Sequence, residues 1–262
     1  MVFKWPLHKN GRVAYKKMKI IPLQELEKAI IKKLSIALRF TDLDFSNIKK
    51  SQITGISDSI CSRYRVWYFR GKIHREDGPA IEWYDGQLEW WLNGRRHREG
   101  GPAIMWPNGD KAWWFNGKSH REDGPAYEYT NGSKEWYVND LLHRENGPAI
   151  EHPSGSWKWF KNGKLHREDG PAAYDACEDN EEWYLNGYLH REDGPAIVSK
   201  NGYQAWYLND KCHRENAPAV IHPNGTTQWF LDGLLHRTDG PAVEYANGAK
   251  EWYVNGKCQK RL

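Results

Sequence analysis

Eight near-copies of the string His-Arg-Glu-Asp-Gly-Pro-Ala place an imidazole, a guanidinium and carboxylates side by side. They begin at His74, His97, His120, His143, His166, His190, His213 and His236. Imidazole beside carboxylate is raw material for metal binding and for acid–base catalysis. Zinc ligands lie about 2.0–2.1 Å from the ion, hence within about 4 Å of one another. Here the histidines recur every 23 residues, with a single interval of 24 from His166 to His190, so they are spread along a repeat. Catalysis needs one convergent pocket with distinct roles, and near-equal copies make none. No catalytic residue, metal ligand or cofactor is expected. The one irregular copy, Asp175-Ala176-Cys177-Glu178-Asp179-Asn180, reads as an exposed bulged loop. Its acidic neighbours oppose a reactive Cys177 thiolate.

The element that carries these strings is itself periodic. Trp-aromatic-x-(Asn/Asp)-Gly begins, with variations, at Trp67, Trp90, Trp113, Trp136, Trp159, Trp183, Trp206, Trp229 and Trp252. A fixed internal period signals a repeat architecture. Each unit has two turn signals, one after the Trp strand (Asn93-Gly94, Asn116-Gly117, Asn162-Gly163) and one before it (Asp85-Gly86, Asn108-Gly109, Asn131-Gly132). Two-residue Asn-Gly loops require positive φ at both positions and match the twist of antiparallel strands. The runs between them, such as Ala80-Ile81-Glu82-Trp83-Tyr84, are β-prone. The expected fold is mainly β: an elongated single antiparallel sheet of tandem 23-residue β-hairpin repeats over residues 62–258. A β-helix would stack equivalent arginines about 4.8 Å apart, and like charges at that distance repel. A meander spaces them about 10–14 Å apart and lets Arg of one repeat reach Glu or Asp of the next.

Alternate residues on a strand share a face. The repeat tryptophans Trp90, Trp113, Trp136, Trp159, Trp183, Trp206 and Trp229 therefore point one way, and the rings after them the other. Those rings are Trp91, Trp114, Tyr137, Phe160, Tyr184, Tyr207, Phe230 and Tyr253. A continuous apolar strip of this kind marks an interaction site, so these eight are the expected partner-binding residues. His97, His120, His143, His166, His190 and His213 are expected to be structural, with His and Asp bonding the loop backbone and Arg packed across a ring.

Fifteen Trp, 14 Tyr and 7 Phe exclude a disordered chain. Residues 1–50 hold 12 Lys/Arg and 4 Asp/Glu, a net of +8, whereas the other 212 residues carry −4. Within residues 1–61 the stripe Leu23, Leu26, Ile30, Leu34, Ala37 and Leu38 predicts an amphipathic helix over 22–40. Its expected role is a cap over the first hairpin; residues 259–262 form a basic tail. Cys61, Cys177, Cys212 and Cys258 show no close pairing, which fits a reducing compartment. No signal-peptide core and no membrane span is apparent, so a cytoplasmic protein is expected.

The array resembles the MORN family, and more closely its bacterial and viral variant, at Trp113-x-x-Asn116-Gly117-Lys118-x-His120, Trp159 to His166 and Trp183 to His190. That family carries Gly-x-Gly after the His-like position, where this chain has Arg-Glu-Asp-Gly-Pro-Ala. The resemblance implies a thin antiparallel sheet that organises protein complexes and has no catalytic residues. It also implies a phage, giant-virus or bacterial source. The expected function is a non-enzymatic scaffold binding another protein, a host or defence component among them. Self-association through the apolar face or an edge strand is a further expectation. Alternatives are a glycan- or cell-wall-binding aromatic module and a nucleic-acid-associated protein acting through the basic amino-terminal segment. The acidic array disfavours nucleic acid, and nothing indicates a membrane.

Overall fold

The computed structural model describes residues 64–262. The predicted helix over 22–40 and the rest of the amino-terminal segment lie outside the described residues. Within the described residues every strand pairing is antiparallel, and one sheet holds 18 strands. Each repeat gives that sheet two strands, for example Ile81–Trp83 and Leu88–Glu89, so equivalent residues recur about 10 Å apart at ordinary strand spacing. The stacked coils of a β-helix are absent from the described residues.

A second row of elements branches from this sheet. Eight two-stranded hairpins, such as Trp91–Leu92 with Arg95–Arg96, pair only within themselves. The repeat Trp is where the strand changes partner. Trp90 N–H donates to Ala103, just before the neighbouring sheet strand, at 2.8 Å, while Trp90 C=O accepts from His97, just after its own hairpin, at 3.1 Å. Two backbone bonds per repeat tie the hairpin row, as from Gly94 N–H to Ile73 C=O at 2.8 Å and from Arg75 N–H to Trp91 C=O at 3.1 Å.

The two turn classes differ. After the Trp strand both central residues are left-handed, with φ 52° at Asn93 and 79° at Gly94, as a two-residue primed turn demands. The other turn is not of that type. Only Gly86 is left-handed there (φ 96°), while Gly86 N–H bonds Trp83 C=O at 3.0 Å and Trp83 N–H bonds Gln87 C=O at 2.9 Å. That is a type I turn closed by a glycine bulge, in which the side chain of Asp85 accepts the Gln87 N–H at 3.0 Å. One left-handed residue suffices, which corrects the expectation of two.

Burial falls on small residues. Ala80, Ala103, Ala126, Ala149, Ala172, Ala196, Ala219 and Ala242, the alanines of the repeated Pro-Ala, are all 0% exposed. They lie at the seam where sheet and hairpin row meet, with no space for a longer side chain. The large rings around them are half-buried. At the carboxyl end, Lys257–Arg261 pairs with Lys250–Val254, so the expected basic tail continues the last strand. Among the described residues no helix is long and apolar enough to cross a membrane.

Candidate functional site

The Arg of each repeated string doubles back over the Trp eight residues earlier. Arg75, Arg98, Arg121, Arg144, Arg167, Arg191, Arg214 and Arg237 each hold the guanidinium carbon 3.8–4.3 Å from that ring centroid. Each also donates from Nη1 to the carbonyl of the loop proline at 2.9–3.3 Å. A planar fork on an aromatic face, with its donors turned to the backbone, is a role that arginine fills and lysine does not. The loop glycine is part of this packing. A Cβ at Gly147 would stand 2.8 Å from the Arg144 guanidinium carbon.

Carboxylates complete most copies. Asp77, Asp123, Asp169, Asp193 and Asp239 accept from the arginine two residues earlier at 2.8–2.9 Å. That hydrogen bond, and then the positive charge itself, holds each of these carboxyls below the usual range. Glu82, Glu128, Glu151 and Glu244 accept from the arginine seven residues earlier at 2.6–3.1 Å. The pairing is thus local in sequence, not the reach into the next repeat that was expected. Arg98 and Arg214 have Gly100 and Asn216 in the Asp position, and burial lowers both.

Histidine makes the contact between repeats. In all eight copies Nδ1 accepts the backbone N–H of the turn Asn or Asp 19 or 20 residues on, from Asn93 on His74 to Asn255 on His236, at 3.0–3.3 Å. In five copies an accepting Nδ1 leaves the ring proton on Nε2, whereas at His190, His213 and His236 Nδ1 also lies 2.8–3.1 Å from the side-chain oxygen of that turn residue. In six copies Nε2 faces the Glu two residues later at 3.1–3.8 Å. Among the described residues no group of three or more His, Cys, Asp or Glu is placed to hold a metal ion.

The alternating rings lie on two different surfaces. Trp90 and Leu92, with Arg98, line a groove between successive loops, and Trp183 and Leu185 line its counterpart. Trp91 and Trp114 line a groove between successive hairpins on the other side. All eight expected partner-binding rings, Trp91, Trp114, Tyr137, Phe160, Tyr184, Tyr207, Phe230 and Tyr253, are half-buried, so the strip is less open than its composition suggested. The most exposed large apolar residues are elsewhere: Leu262 at the carboxyl end, Tyr84 at a turn, and Leu141, Tyr188 and Leu234 just past the hairpin turns.

On that strip Trp91, Tyr184 and Tyr253 each give a ring hydrogen to the acid two residues earlier. Trp91 Nε1 donates to Glu89 at 3.0 Å and Tyr184 donates to Glu182 at 3.1 Å. Burial first, and then the Glu182 charge, pushes the Tyr184 phenol up to about 12. Burial and Glu135 raise Tyr129 to about 12 and Tyr137 beyond it. Sequence reasoning had missed both this acid–ring pairing and the alanine seam, although each repeats within the chain. The irregular fifth copy is a surface loop tied down by Lys200 to Asp179 at 3.0 Å, with Cys177 exposed. No known protein-family model matches the chain, and no curated protein matches it significantly.

Proposed function

We propose that the repeat array is a non-catalytic scaffold that binds another protein. The observation that carries this reading is how the reactive side chains are spent. Eight arginines, eight histidines and their tryptophans are bonded internally in the same way in each copy. What remains for solvent is a regular series of polar-rimmed grooves between successive loops and hairpins. Regularly spaced, shallow grooves suit an extended protein surface, whereas catalysis requires one site unlike its neighbours.

The resemblance to MORN repeats supports the same reading, and with it a phage, viral or bacterial source and a host or defence protein as partner in the cytoplasm. Crosslinking followed by mass spectrometry on the intact chain in a bacterial lysate tests it. The expected result is a reproducible partner crosslinked to lysines of the array, such as Lys118, Lys164 or Lys211. Recovery of no protein above a control bait would refute the scaffold reading.

A further inference from the structure

Four of the Trp-led strands carry Glu just before the Trp and a ring with a polar hydrogen just after it. The pairs are Glu89 with Trp91, Glu135 with Tyr137, Glu182 with Tyr184 and Glu251 with Tyr253. Each pair shares a face, and Tyr253 donates to Glu251 at 2.9 Å much as Trp91 donates to Glu89. Where the ring is phenylalanine the acid is gone: Lys158 precedes Phe160 and Gln228 precedes Phe230. In four of the seven strands whose ring can donate, the chain thus sets a carboxylate on the same face.

Trp114 breaks the match. Ala112 stands in the acid position, and Trp114 Nε1 is buried without a hydrogen-bond partner. No other buried side-chain nitrogen or oxygen among the described residues is left so. Tyr68 and Tyr207 also lack the acid, but neither hydroxyl is buried without a partner. A buried donor without a partner is costly, so an acceptor that reached it would be bound with that advantage.

Trp114 lines a groove of about 490 Å³ together with Trp91, Arg95, Arg96, Lys118 and Asp140. Asp140 is spent on the Ser119 N–H at 2.7 Å, and Arg96 on Glu89 at 3.2 Å. Arg95 and Lys118 are exposed and pair with no carboxylate among the described residues. The groove therefore combines an orphan donor with two uncommitted cations.

We infer that this groove receives a carboxylate from an acidic segment of the partner protein. Trp114 Nε1 then does for the partner what Trp91 Nε1 does for Glu89, and Arg95 and Lys118 supply the opposite charge. A carboxylate is favoured over other anions because it is the group the chain itself places against the donor ring in four other strands. Nε1 is closed to solvent, so a side chain must swing aside. Arg96 lies over both rings, its guanidinium carbon 5.1 and 5.2 Å from the Trp91 and Trp114 centroids, with 34% of its side chain exposed. The inference rests on the protein-binding reading and specifies the chemistry of that partner.

The test uses the intact chain, a fluorescent hexaglutamate peptide, a hexalysine peptide and inorganic phosphate. Hexaglutamate should bind, and the Trp114 indole N–H resonance, assigned with Trp114→Phe, should move downfield. Ala112→Glu supplies the acceptor internally. It should shift that resonance without peptide and weaken binding about tenfold, the equivalent of about 1.4 kcal/mol. Arg95→Ala with Lys118→Ala should weaken binding similarly and keeps the test open if Ala112→Glu does not fold. A stationary indole resonance, equal binding by either variant, equal binding of hexalysine, or displacement by equimolar phosphate would overturn the assignment. Crosslinking capture of one partner by wild-type and Ala112→Glu alike would remove the groove but leave the scaffold; capture by neither would remove both.

Discussion

His97 Nδ1 accepts the backbone N–H of Asn116 from 19 residues away at 3.1 Å, and the same bond recurs in every copy. It joins the hairpin of one repeat to the turn of the next, beside the two backbone bonds that tie the hairpin row. Replacing the acceptor leaves a turn N–H without its partner. His143→Ala is therefore expected to cost about 1–2 kcal/mol. Urea unfolding should report it as a lower midpoint with unchanged slope. An unchanged midpoint would mean that the histidines are passengers in the turn.

The arginine fork gives a sharper contrast. Arg144 stacks on Trp136 at 3.8 Å and bonds both Pro148 C=O at 2.9 Å and Glu151 at 2.6 Å. Arg144→Lys keeps the charge and loses the planar fork, so it should cost about 1–2 kcal/mol. Gly147→Ala should also destabilise, because its Cβ would meet the guanidinium at 2.8 Å. The seventh copy already carries Ala217, with Arg214 still 3.9 Å above Trp206, so Ala217→Gly should have little effect. Thermal melts of the three variants decide it, and equal effects of the two glycine–alanine exchanges would sink the argument.

These contrasts also separate what could be read from the sequence from what could not. Asn93-Gly94 announced its turn because left-handed backbone is a local property, legible in two residues. Asp85-Gly86 looked the same, yet the sheet register needed a three-residue connection, and register depends on strands that the dipeptide does not contain. Arg98 over Trp90 was expected as a ring contact, but its bond to Pro102 needed the path of the loop. The His97–Asn116 bond was out of reach for the same reason, since it joins separate repeats. Ala103 carries no burial signal alone; only its recurrence in every Pro-Ala string marks it as structural. The Glu89–Trp91 pairing was legible in the same way, and its failure at Ala112–Trp114 is what singles out one groove among several similar ones.

Acid should unfold the array in a defined way. Asp77, Asp123, Asp169, Asp193 and Asp239 have carboxyls depressed by their arginines, so folding is favoured while they are ionised. A folded value below the unfolded one, about 3.9 for aspartate, means stability present above that value and lost as pH falls through the folded one. All five are well exposed, so each contribution is small. Replacing the five by Asn should lower stability modestly at pH 7, where the ionised carboxylates contribute, and flatten its dependence on pH below about 4, so that the two proteins converge in acid. Urea midpoints between pH 2.5 and 7 test this; parallel curves for the two proteins would contradict it.

The cysteines offer a readout of the packing itself. Cys177 and Cys258 are exposed, whereas Cys212 is buried against Ala219, Val220, Tyr207 and Phe230. Burial pushes its thiol up to about 12, so at pH 8 almost none of it is thiolate, the form that reacts. Its Sγ lies 3.8 Å from the Ala219 carbonyl and has no nearby cation to reverse the effect. Pulsed alkylation with peptide mapping should label Cys177 and Cys258 within the pulse and Cys212 only as the chain unfolds. Raising the pH to 10 should still leave Cys212 slow. If Cys212 reacted as fast as Cys177 under native conditions, the alanine seam beside it would have to open far more readily than its complete burial implies.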